Sequence, residues 1–307
     1  MKEKEEMKAK ISVGSSAFAI GAYERNPIPF ETVLQRLVEL GFDGVELFGA
    51  KPYGHPSDFP TQADRRNFRR RLDDLGLVPS NYGADLWGFP LGAGKAQALQ
   101  YEDAFKRNLE FCVDIGCDSI RVDTVSEPPL PDGVSYQDAW QRVVGTWQNC
   151  SSWASEAQTM LYWEFEPGFM FNKPREIVRL VDEVAAPNFK LMFDTCHAQM
   201  ACVRGARQAD PLETIPTVED LIRLLGSRIG TVHLIDSDNT LHDDKTSTHA
   251  PFGEGVLNFD TIVTALQEVG YQGPWWTIDF CFWPTAWDRL EEVTDFVVEL
   301  LERHHLR

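Results

Sequence analysis

Residues 161–168 read Leu-Tyr-Trp-Glu-Phe-Glu-Pro-Gly, two carboxylates two positions apart in an aromatic run that stops at Pro-Gly. Such a run forms a β-strand, and on a pleated strand Glu164 and Glu166 share one face. Inward carboxylates are costly unless something cationic meets them. Three later apolar runs end in groups of the same kind. Residues 193–197 (FDTCH) offer Asp194 and His197, residues 232–236 (VHLID) offer His233 and Asp236, and residues 277–280 (TIDF) offer Asp279. Taken singly, each has an ordinary use: a strand-end carboxylate caps a helix, and a histidine on an apolar strand is a satisfied core group. Four together point to one divalent metal. We select Glu166, Asp194, His233 and Asp279 as the ligands, with Glu166 ahead of Glu164 because it stands at the strand end before Pro167. Three carboxylates and one imidazole favour a hard cation, Mn²⁺ first, with Mg²⁺, Co²⁺ or Zn²⁺ compatible.

Around this set stand groups suited to a polyhydroxylated substrate. His197 is placed to bond a substrate hydroxyl and to carry a proton. Glu164, Trp87, His249 and Glu254 are further substrate contacts by this reading. Trp87, Phe89, Trp163, Phe169, Phe280, Phe282 and Trp283 crowd the same strand ends, where rings stack on sugars and exclude water, or simply pack the rim. Glu46, Arg121 and Asp123 are expected to point inward behind the ligands. The polar stretch 236–249, which includes His242, is long enough for a lid or substrate loop. The Gly-Glu-Gly unit at 253–255 has no phosphate-loop lysine, so no nucleotide use and no organic cofactor is indicated.

The elements that must position these residues alternate. Strands are expected near 11–17, 44–48, 77–82, 119–124, 161–166, 190–194, 230–235 and 275–280. Helices are expected over 29–40, 61–75, 101–115, 136–156, 174–184, 217–225, 259–269 and 287–303. Eight strand-helix units predict an α/β fold, a single-domain (β/α)8 TIM barrel over 11–307 behind a flexible charged leader over 1–10. In a barrel of this kind, chemistry sits at the C-terminal strand ends, where every candidate ligand lies.

Composition narrows the partners. The chain has 307 residues, 43% hydrophobic, and a net charge of −18 from 29 basic and 47 acidic residues. That surface repels nucleic acid and anionic lipid. Neither a signal-type apolar segment nor a membrane-length apolar run is present. Six scattered cysteines form no C-x-x-C pair, which fits a cytoplasmic setting. Rim aromatics leave room for a homo-oligomer or a place in a larger complex.

The pieces Gly41-Phe-Asp-Gly-Val-Glu-Leu47, Glu166-Pro167, 193–197, Val232-His233, Gly253-Glu-Gly255 with Phe259, and 270–279 resemble the sugar phosphate isomerase/epimerase family of xylose-isomerase-like barrels. The resemblance implies one divalent metal held by a carboxylate, an Asp, a His and a last carboxylate, which fall on Glu166, Asp194, His233 and Asp279. The last is usually Glu, so Asp279 is one methylene shorter. In ketose 3-epimerases of the family a carboxylate and an Arg, each six residues past a ligand, contact substrate; Asn172 and Asn239 stand there in this chain. The function implied is a metal-dependent sugar isomerase or epimerase working by proton transfer through a cis-enediolate, with Glu166 and Asp279 as base and acid. Two alternatives are a lyase or dehydratase on a keto sugar or keto-glycoside, with His197 or His249 carrying the proton, and a non-catalytic sugar-binding barrel.

Overall fold

A computed structural model describes residues 8–205, 208, 210–243 and 245–307. Most of the expected leader, residues 1–7, lies outside them. Ala9 is buried and its N–H donates to the Leu306 carbonyl at 2.7 Å. The strands are β1 (Lys10–Val13), β2 (Gly44–Phe48), β3 (Val78–Gly83), β4 (Ser119–Val122), β5 (Met160–Glu164), β6 (Phe189–Asp194), β7 (Ile229–Leu234), the pair β8 (Asp236–His242) and β9 (Thr246–Ala250), and β10 (Trp275–Ile278). Eight of them run parallel in the order β1-β10-β7-β6-β5-β4-β3-β2. A parallel bridge between Gly14 and Glu46 links the two outer strands and closes the cylinder. The fold is the (β/α)8 TIM barrel that the alternation predicts.

Among the described residues, nine α-helices wrap the barrel: α1 (Phe30–Glu39), α2 (Gln62–Leu75), α3 (Lys95–Asp114), α4 (Tyr136–Glu156), α5 (Pro174–Val184), α6 (Thr195–Val203), α7 (Val218–Leu225), α8 (Phe259–Glu268) and α9 (Leu290–Arg303). Local chemistry fixes their ends. Thr61 and Asp64 form a reciprocal capping box at the start of α2, and Gly76 ends it at φ +72°, a left-handed turn that suits glycine. Helix α5 buries Ile177, Leu180, Val181 and Val184, spaced so that one stripe faces the sheet. Trp147 of α4 lies 5.2 Å from Trp163 and 5.3 Å from Phe189, tying that helix to β5 and β6. Trp163 is therefore part of the layer between helices and sheet, not of the rim, because alternation along β5 turns its neighbour Glu164 inward.

Three elements differ from expectation. Helix α3 begins at Lys95 rather than 101. The polar stretch after β7 is not a loose loop: β8 and β9 pair as an antiparallel hairpin. A short helix, α6, follows Asp194 directly. Two bulges also bear on the site. The register of β2 against β3 slips between Val45 and Glu46, and that of β6 against β7 between Leu191 and Met192. Each slip lies just before a site side chain, Glu46 or Asp194, and bulges re-aim side chains in this way.

Candidate metal and active site

Four strand ends meet inside the barrel mouth. Glu164 ends β5, Asp194 ends β6, His233 is next to last in β7, and Asp279 follows β10. One ligating atom from each lies within 4.8 Å of the others, and all four side chains are buried. His233 Nδ1 is 3.1 Å from Glu164 Oε1 and 3.7 Å from Asp279 Oδ2. Asp194 Oδ1 accepts from the His197 N–H at 2.7 Å, capping α6, while Asp279 Oδ1 accepts from the Cys281 N–H at 3.1 Å. Among the described residues, Glu164 Oε1, Asp194 Oδ2 and His233 Nδ1 find no hydrogen-bond partner. Buried polar atoms are rarely orphaned, so three that converge on one point need a common partner. Oxygen donors with one imidazole nitrogen fit a divalent cation.

Glu166 stands outside this group, in contrast to the ligand set read from the sequence. Strand β5 ends at Glu164, and two further residues carry Glu166 roughly 6–7 Å toward the mouth. There it lines the cavity, with the Thr246 hydroxyl donating to it. Glu164, expected as a substrate contact, takes the fourth place in the cluster. Asp236 also lies outside the cluster. Its buried carboxylate accepts from the backbone N–H groups of Ser237, Gly253, Gly255 and Leu257 at 2.8–3.1 Å. A Cβ on Gly255 would come within 2.3 Å of Asp236 Oδ1, so only glycine fits that turn.

The cluster is rich in negative charge. Glu46, Asp123, Glu164, Glu166, Asp194 and Asp279 are all buried here, and Arg121 is the guanidinium among them. Arg121 Nη2 meets Glu164 Oε2 at 2.5 Å, and its Nε meets Asp123 Oδ2 at 3.3 Å. Burial works to raise the Glu164 carboxyl, but Arg121 and the two nearby imidazoles outweigh it and hold the group at about 2. Burial, reinforced by Asp123, pushes Glu166 up to about 8. Burial, with Glu164 and Asp279 alongside, pushes Asp194 well above the carboxylate range. A cation at the orphaned atoms would relieve that repulsion.

A cavity of about 550 Å³ opens over the cluster, walled by Glu164, Glu166, His197, His249, Asp279 and Trp87 among others. That volume suits a small-molecule ligand. His197 Nδ1 hydrogen-bonds to the Ser247 hydroxyl, and its Nε2 is 3.8 Å from Glu164 Oε2. His249 Nδ1 is 3.9 Å from Asp279 Oδ2, and the two imidazole rings are 5.7 Å apart. Burial lowers both, His197 to about 3, so both favour the neutral form near pH 7. Asp194, His197 and His249 also form a second close group. Trp87 is half exposed at the rim, 5.2 Å from Phe169.

Other expected contacts lie elsewhere. Glu254 is exposed, pairs with Arg289 at 2.6 Å and is not among the residues that line the cavity. His242 stacks on Phe282 at 4.9 Å near the hairpin tip. Phe89 lines a neighbouring cavity, Phe280 is fully buried, and Trp283 packs against the Arg289 guanidinium. Asn172 donates to the carbonyls of Pro167 and Phe169, closing the loop after β5. Asn239 accepts from Gln199 at 2.8 Å. Thr246 and Ser247 were missed. The signal for them is the 246–249 run, whose alternation puts Ser247 and His249 on one face once β9 is read as a strand.

Comparison with known proteins agrees with this architecture. A family described as the xylose isomerase-like TIM barrel matches residues 34–304, and the chain belongs to that family. An uncharacterized protein of Methanocaldococcus jannaschii is 28% identical over 100 residues, a match spanning 33% of this chain and 29% of that relative's length. A D-psicose 3-epimerase solved in the presence of D-fructose is 18% identical at a TM-score of 0.71, covering 97% of this chain and 99% of that one. A D-psicose 3-epimerase from Clostridium cellulolyticum H10, solved with D-tagatose, is 16% identical at 0.73, covering 97% and 99%. The probable 3-DHS dehydratase AsbF of Bacillus anthracis, involved in petrobactin synthesis, is 18% identical at 0.69, covering 94% and 98%. At such identities the likeness concerns the fold. No helix among the described residues is long and apolar enough to cross a membrane.

Proposed function

We propose that this barrel is a divalent-metal-dependent isomerase or epimerase that moves a proton on a carbon next to a carbonyl of a carbohydrate. The observation that carries the reading is the convergence of Glu164, Asp194, His233 and Asp279 with three orphaned donor atoms at the floor of a ligand-sized cavity. Those four residues would hold the cation, Mn²⁺ by preference for their oxygen-rich set. When bound, such an ion polarises a carbonyl and an adjacent hydroxyl and makes the intervening C–H more acidic. The chain's own residues do the rest. Glu166 faces the same cavity, with a proton affinity raised close to neutrality by burial and Asp123, which suits a group that gives and takes protons. Asp279 is its counterpart. Return of the proton to the other face gives an epimer, and return to the neighbouring carbon gives an isomer. Trp87 offers an apolar face to the ring, and His197 bonds a hydroxyl.

A second reading, a lyase expelling a β-substituent from a keto sugar or keto-glycoside, is favoured by one observation. Asn172 and Asn239 are spent on loop and side-chain hydrogen bonds, so neither ketose-epimerase contact is reproduced. His197 and His249 both line the cavity from which a leaving group would depart. Incubation of Mn²⁺-loaded protein with free, phosphorylated and 3-keto sugars in deuterated water separates the readings. Incorporation with an intact carbon skeleton supports the isomerase or epimerase, and an unsaturated or cleaved product supports the lyase. Glu166→Gln should lower incorporation roughly 10²–10⁴-fold while metal content stays unchanged. No exchange into any sugar would contradict both and leave a binding protein.

A further inference from the structure

We propose that Glu46 is the positioning residue that fixes the tautomer and the aim of His233. Glu46 sits on β2 and His233 on β7, strands that are not neighbours in the barrel, so Glu46 reaches across the interior. Its Oε2 lies 3.0 Å from His233 Nε2. The same oxygen accepts from Asn81 Nδ2 at 3.1 Å, so a residue of β3 holds the carboxylate from the far side. The bulge between Val45 and Glu46 turns the side chain into that position, and Glu46 is only 7% exposed.

The consequence is set by imidazole chemistry. A neutral histidine carries one N–H and one lone pair, and the partner of one nitrogen decides the role of the other. A carboxylate at Nε2 holds the proton there, which leaves the lone pair on Nδ1. That nitrogen is the orphaned atom facing Glu164 Oε1 and Asp279 Oδ2. The relay Asn81, Glu46, His233 thus aims Nδ1, the nitrogen that gives up any proton when a cation binds, at the place where that cation would sit. Partners of this kind, behind a ligating histidine, tune metal affinity.

The inference rests on the cation reading, and the test separates the two. Co²⁺ is titrated into the metal-free full-length protein against a competing chelator, following its visible absorption, for wild type, Glu46→Ala and Glu46→Gln. Thermal melts of the metal-free forms run in parallel. We expect Glu46→Ala to bind Co²⁺ roughly 10–100-fold more weakly. Glu46→Gln should recover most of that loss, because its amide oxygen still accepts from Nε2–H. In Zn²⁺-loaded, ¹⁵N-histidine-labelled protein, His233 should show a single Nε2–H tautomer in wild type and in Glu46→Gln. Folded Glu46→Ala with wild-type affinity would overturn the proposal and leave the cation reading intact. Equal losses in Ala and Gln would mean that charge alone matters, which also overturns it. A wild type that binds no Co²⁺ would overturn both.

Discussion

Glu164 and Glu166 sit two residues apart, yet the fold gives them opposite electrostatics. Arg121, 2.5 Å from Glu164, holds that carboxyl ionised, the form in which a carboxylate could hold a cation. At Glu166 the pull of Arg121 is outweighed, and burial beside Asp123 raises the carboxyl from an ordinary 4.5 to about 8. The sign for stability follows. The folded state binds this proton more tightly than the unfolded chain, so the contribution is complete below pH 4.5 and fades as pH rises to about 8. Chemical denaturation of the metal-free protein should therefore show wild type losing stability relative to Glu166→Gln across that window. The difference should approach ~1.4 kcal/mol per pH unit at its steepest. A difference that is flat with pH would show that Glu166 is solvated and ionised, unfit for a proton carrier at neutrality. The sequence favours Glu166 as the ligand because it precedes Pro167. The choice turned on where β5 ends, a boundary that local propensity sets only to within a residue or two.

At the scale of elements, the β8–β9 hairpin turns a barrel into this site, since it supplies Thr246, Ser247 and His249 to the cavity. Its base depends on Asp236, whose carboxylate satisfies four backbone N–H groups. Asp236→Ala should cost roughly 2–5 kcal/mol in urea unfolding, since the orphaned donors are costly. Metal bound per folded molecule should stay at the wild-type level. A variant that keeps full stability but loses its metal would place Asp236 in the cation site after all. The hairpin was hidden in the sequence because its residues are polar and partly exposed, and a strand without an apolar face looks like a loop. Helix α6 was hidden for the opposite reason: seven of its nine residues are buried, so no amphipathic period marks it. The eight barrel strands were legible because apolar runs of strand length alternate with well-capped amphipathic helices. Nothing local in the sequence tells which way Glu254 faces, because its turn is held by the distant Asp236.

Across the whole molecule, the parallel barrel gathers residues from 46 to 279 at one mouth, so side chains far apart in the chain converge there. What the sequence could not supply was the choice between neighbours on one strand, or contacts across the interior such as Glu46 with His233. Six buried carboxylates near one guanidinium make the cation the keystone of the account. The decisive measurement is an anomalous-difference map from crystals of the full chain soaked in Mn²⁺. A single strong peak is expected about 2.0–2.3 Å from Glu164, Asp194, His233 Nδ1 and Asp279. An empty cluster, or a peak held by Glu166 in place of Glu164, would contradict it.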